Sequence, residues 1–134
     1  MKIFCAYAFT GENLKAVTHR MKIVVDTLNA NGHNAYCNRF DPIVDEIQTK
    51  DDIKAIFARA FEVLNDNEAV VAIVASSNKS VGQIMEIGVA MSQGKPVYLF
   101  EHTSASGSTY LPRLASATYT WTELDDLVTQ LQQI

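Results

Sequence analysis

The run Ala69–Ala75, AVVAIVA, constrains the chain more than any other feature. It is unbroken, apolar and rich in β-branched residues, which is the composition of a parallel strand covered on both faces. Parallel neighbours cannot be joined by hairpins, so helical crossovers are expected on either side of it.

The rest of the chain supplies them. Lys2–Ala8 reads as a first short buried strand, and Glu12–Ala30 as a helix with Leu14, Val17, Met21, Val24, Val25 and Leu28 at helical spacing, stopped by Asn31-Gly32. His33–Asn38 reads as a second strand, and Arg39–Gln48, with Asp41-Pro42, Asp45 and Glu46, as an irregular acidic loop. A second helix opens at Thr49 and two aspartates and carries Ile53, Ile56, Phe57, Ala60, Phe61 and Leu64 on one face. After the central strand come a helix over Ser80–Gly94, a strand over Pro96–Phe100, a strand over Ala117–Trp121 and a closing helix over Glu123–Gln133. This alternation predicts one α/β domain over residues 1–134, a doubly wound, flavodoxin-like five-stranded parallel sheet in the order 2-1-3-4-5 with helices on both faces. In that order the topological switch lies between strands 1 and 3, so a ligand is expected where the loops after Ala8 and Ala75 face each other.

Charge narrows the partners. The formal net charge is −4 and the eleven Lys and Arg are scattered, so no basic stripe for a nucleic-acid polymer is expected. MKIFCAYAF lacks the length of a secretory h-region, and no apolar run approaches the roughly 20 residues of a membrane span, so a soluble, cytoplasmic protein is expected. Cys5 and Cys37 lie in apolar segments and read as small buried hydrophobes, not as a disulfide. His19, His33 and His102 have no partner at ligand spacing, and no metal site is expected.

The helix after the central strand holds the candidate chemistry. Its N-terminus points at the predicted crevice, where free amides and hydroxyls of Ser76, Ser77 and Ser80 suit an anionic group, and Ser80 with Gln83 has capping-box spacing. Gly82 and Gly88 cost helix stability, so a close approach of backbone or ligand is one motive and chance the other. Glu86 follows one turn past the start. Two readings are open for it: a carboxylate facing the ligand, or part of a solvated stripe Gln83, Glu86, Ala90 and Gln93.

KIFCAYAFTGEN and the pattern formed by Ser80, Gly82, Glu86, Ile87, Gly88, Ala90, Gly94, Lys95, Pro96 and Val97 resemble the nucleoside 2-deoxyribosyltransferase superfamily, which includes the 2'-deoxynucleoside 5'-monophosphate N-hydrolases. The resemblance implies a flavodoxin-like domain that cleaves or transfers at the N-glycosidic bond of a nucleoside or nucleotide, with no cofactor. By it, Glu86 is the nucleophile of a retaining, double-displacement reaction, and Tyr7 either positions that carboxylate, touches the sugar or is a core residue. It places Ser80 and Gly82 near the sugar or its 5'-phosphate, with Ser106 and Gly107 from the TSASGST loop as further phosphate contacts; Ser77 stays a hydroxyl donor at the helix N-terminus. It also implies a homodimer or higher homo-oligomer whose contacts involve the helices opening near Thr49 and Ser80. One departure matters: where the family carries a second acid, this chain has Ala60, leaving Glu62, Asp41, Asp45 or Glu46 as possible proton donors.

A second resemblance, through F-x-A-Y at Phe4–Tyr7 and a serine six residues before Glu86, is to TIR domains, some of which cleave NAD; Gly82 and Gln83 stand where those enzymes often have tryptophan and cysteine. The missing acid also leaves open a non-catalytic nucleotide-binding signalling module.

Overall fold

In a computed structural model describing residues 1–134, the central strand β3 (Ala69–Val74) has all six residues buried. Around it stand β1 (Lys2–Tyr7), β2 (Asn34–Tyr36), β4 (Val97–His102) and β5 (Ala117–Trp121) in the order β2-β1-β3-β4-β5, every pairing parallel. The expected topology is the observed one. Pleating divides the strand residues between two cores. Ile3, Cys5, Val71, Ile73 and Phe100 pack with α1 (Leu14–Ala30) and with α6 (Leu124–Leu131), whereas Phe4, Ala6, Val70, Ala72 and Leu99 pack with α3 (Ile53–Asn65) and α4 (Val81–Ser92). Both cysteines are free and buried in the first of these cores.

The stretch read as an acidic loop is different. Asn38–Phe40 makes one 3-10 turn and Pro42–Thr49 forms a helix, α2. Asp41 is its N-cap, accepting from the Ile43 N–H at 2.9 Å, and Pro42 occupies the first turn, where its missing N–H costs nothing. An Asp-Pro pair thus opens a helix here instead of breaking one, and Val44 is the buried anchor. Thr49 accordingly closes α2 and does not start α3; Asp52 caps α3, accepting from the Ala55 N–H at 3.0 Å.

The loops after β1 and β3 do face each other, but they bind each other directly. Ser76 Oγ donates to Glu12 Oε1 at 2.6 Å, and Asn78 Nδ2 donates to the Gly11 carbonyl at 3.3 Å. Gly11 has φ +79°, a conformation that strains L side chains, and a Cβ there would meet the Asn78 amide at 3.4 Å. The open space lies to one side of this joint, toward α2 and α3. A short helix α5 (Leu111–Leu114) completes the fold, and no helix is long and apolar enough to cross a membrane.

Candidate active site

Ser80 is the N-cap of α4, its hydroxyl accepting from the Gln83 N–H at 3.3 Å. The reciprocal half of the expected capping box is absent. Gln83 instead turns into the sheet, where its Nε2 donates to the carbonyls of Ile73 at 2.9 Å and Ala6 at 3.2 Å. Those carbonyls lie at the C-terminal ends of β3 and β1, so a buried amide satisfies them and pins the start of α4 to the switch point.

With Gln83 inside, Glu86 and Ala90 are inside as well, which excludes the solvated-stripe reading for Glu86; only Gln93 of that set is exposed. Glu86 is 7% exposed and its carboxylate makes no hydrogen bond or ion pair. It reaches a cavity of about 370 Å³ whose walls combine Tyr7 and Thr10 from the end of β1, Val44, Asp45 and Gln48 from α2, Phe57 and Ala60 from α3, and Ser80 and Gly82 from α4. Burial without compensating donors pushes its carboxyl from 4.5 to about 7. A carboxyl group in this state is desolvated and has no partner to hold it.

Tyr7 faces the same cavity but no hydrogen bond joins it to Glu86; burial raises its phenol far out of its usual range, with Cys37 adding to that. Gly82 borders the cavity beside Phe57, and an added Cβ would touch the ring at 3.5 Å. Nothing approaches Gly88 within 4 Å, so the close contact expected there is not made within the chain.

The four candidate proton donors separate cleanly. Asp41 is buried and already occupied, with its Oδ2 accepting from Tyr36 Oη at 2.6 Å and Arg59 Nε at 3.0 Å. Burial alone would raise its carboxyl, but the bonds from Tyr36, the Ile43 amide and Arg59 outweigh that and hold it below 3.8. Its job is to fasten α2 to α3. Glu62 is 73% exposed at 3.9 Å from Arg59, and Glu46 is equally exposed near Lys50. Asp45 alone of the four lines the cavity, and Ala60, at the position of the expected acid, offers only a methyl group. Ser77 lies in a narrow crevice with Ser108 and Thr109, Gly107 borders a separate outer groove, and Ser106 is exposed; none of these three lines the Glu86 cavity.

The wall also holds Asn38, Arg39, Gln48 and Phe9, residues that sequence reasoning had not assigned to the site. Gln48 comes there through the helical register of α2 and its packing against α3, Asn38 and Arg39 through the 3-10 turn before α2, and Phe9 through the loop after β1. No group of three or more His, Cys, Asp or Glu side chains comes together as a metal site.

Known proteins share this fold. No curated protein matches the chain in sequence. Among solved structures, the chain is similar in fold to a conserved protein from Enterococcus faecalis V583 (17% identity, TM-score 0.70, covering 99% of this chain and 98% of that one). It is also similar to the CMP N-glycosidase BcmB of Clostridium botulinum (15%, 0.68, all of both chains) and to a 2-deoxyribosyltransferase from Bacillus psychrosaccharolyticus (21%, 0.62, 98% and 96%). The family model described as nucleoside 2-deoxyribosyltransferase matches residues 4–113, from β1 through the whole cavity wall, and the chain therefore belongs to the nucleoside 2-deoxyribosyltransferase family, whose chemistry is transfer or cleavage at the N-glycosidic bond of nucleosides.

Proposed function

We propose that this protein breaks the N-glycosidic bond of a nucleoside or nucleotide by double displacement, with Glu86 as nucleophile and Asp45 as proton donor. The observation that carries the reading is Glu86 itself: a buried carboxylate without a partner, aimed into a cavity large enough for a nucleoside. In the first step a Glu86 oxygen attacks C1' as the C1'–N bond breaks. The bonding pair leaves with the base, which takes a proton from the Asp45 carboxyl. The product is an ester between Glu86 and the sugar. Water or the nitrogen of a second base then attacks C1', gives its proton to Asp45 and releases the Glu86 carboxylate, so two inversions give net retention.

Tyr7 and Gly82 border the same space and contact the sugar, while Ser80 holds the first turn of α4 in place. Ser77, Ser106 and Gly107 lie off this cavity and take no part in this scheme. Release of free base from deoxynucleosides or deoxynucleotides, with a sugar adduct on intact protein that disappears in Glu86→Gln, is the expected result. Base release that survives Glu86→Gln refutes the nucleophile; nucleotide binding without turnover supports a non-catalytic module instead.

The protein acts as a homo-oligomer in this reading. The outward face of α4 presents Val81, Ile84, Met85 and Gly88 and no charge, and Ile53 of α3 is likewise exposed. An outward helix face this apolar and uncharged suits an interior position, here one completed by a second copy. Sedimentation of the wild type as a dimer or larger, and of Met85→Glu as a monomer, is expected; a monomeric wild type refutes it.

A further inference from the structure

Arg39 borders two spaces at once. It lines the Glu86 cavity, and it also lines an open groove of about 520 Å³ against α1. Its Nε donates to Thr18 Oγ1 at 2.9 Å, and that hydroxyl in turn donates to the Leu14 carbonyl at 2.8 Å. The guanidinium is thus held by one nitrogen, and no carboxylate lies within 4.0 Å of it. Its two terminal nitrogens remain free to bind.

The groove beyond it contains no acid. Lys15, His19 and Lys22 follow one another at spacings of four and three along α1, so they line one helix face and lead away from Arg39. Lys22 is already paired with Asp26 at 2.6 Å, but Lys15 and His19 have no acidic partner. In a chain of net charge −4, this is a local excess of cations joined to the catalytic cavity by a fixed, unpaired arginine.

We infer that this groove binds the phosphate tail of a nucleotide whose base and sugar occupy the Glu86 cavity, with Arg39 as the forked contact at the junction and Lys15 and His19 as further contacts. Arginine geometry matches a phosphate bidentately, and the cation row extends far enough along α1 for more than one phosphate group. The inference rests on the proposed nucleotide chemistry only for what fills the cavity; the groove's preference for phosphate can be tested alone.

Calorimetry would compare a deoxynucleoside, its 5'-monophosphate, its 5'-triphosphate and inorganic pyrophosphate on wild type, Lys15→Gln and Arg39→Gln, each variant first checked for an unchanged melting profile. The expected result is a gain of roughly ten- to a hundred-fold from nucleoside to nucleotide at low salt, the size of one or two hydrogen bonds to a charged group. That gain shrinks with added salt and with Lys15→Gln, while nucleoside affinity in Lys15→Gln is unchanged. Equal binding of nucleoside and nucleotides, or a preference untouched by both substitutions, overturns the inference and leaves the N-glycosidase reading standing. Pyrophosphate binding that is lost in both variants, with no nucleoside bound by any of them, supports the groove and counts against the N-glycosidase reading instead.

Discussion

Replacing Glu86 by glutamine removes a charge that folding desolvates and removes no hydrogen bond, because the carboxylate makes none. The folded chain holds this proton more tightly than the unfolded chain does, raising the group from 4.5 to about 7. Its contribution to stability is therefore fully present below about pH 4.5, declines as the pH rises, and is lost once the pH has passed about 7. At about 1.4 kcal/mol per pKa unit, the loss amounts to roughly 3 kcal/mol. The amide of the Glu86→Gln variant does not ionise, so the variant should match the wild type near pH 4.5 and exceed it by up to ~3 kcal/mol near pH 8.5. Urea unfolding at both pH values reads this directly. With a slope of ~1–3 kcal/mol per molar for a small domain, the variant's midpoint should gain about 1–3 M at the higher pH. A difference between variant and wild type that does not change with pH refutes the reasoning: Glu86 would then titrate as a solvated carboxylate, and the cavity would be no special environment for it.

The pH dependence of activity assigns the Glu86 role. If it attacks as the carboxylate, the rising limb of kcat/KM against pH should titrate near 7; a profile with no such limb, falling through about 7, makes it the acid. Asp45→Asn should lower kcat by roughly 100-fold or more with a natural base and far less with a good leaving group; an equal loss with both removes Asp45 as proton donor. Asp41→Ala, measured by urea unfolding, should cost about 2–4 kcal/mol, since it deletes the α2 cap and leaves Arg59 and Tyr36 unpaired. A loss under ~0.5 kcal/mol, the level of an ordinary surface change, would dismiss its role as the fastener of α2. Gly88→Ala should stabilise the isolated chain by about 0.5–1 kcal/mol in thermal melts at low protein concentration, because nothing within the chain meets the added methyl. Destabilisation there would mean that the α4 face is tighter than the structure indicates.

The sequence by itself determined the sheet order, because a continuously apolar β-branched strand flanked by amphipathic helices has few ways to bury both faces. It also carried the family resemblance through the residues around Ser80 and Glu86, since that resemblance is a local pattern of spacing and small residues. It did not determine the far wall of the site. Asp41-Pro42 reads equally as a turn or as a helix cap, and only the packing of α2 against α3 selects the cap. The burial of Glu86 was undecidable for the same reason: Gln83, Glu86, Ala90 and Gln93 could form a solvated stripe, and the outcome depended on whether Gln83 found the carbonyls of Ala6 and Ile73. Those groups lie 77 and 10 residues away. Local spacing sets which residues share a face, but which face meets the sheet, and hence which carboxylate loses its water, is decided by contacts between segments distant in the chain.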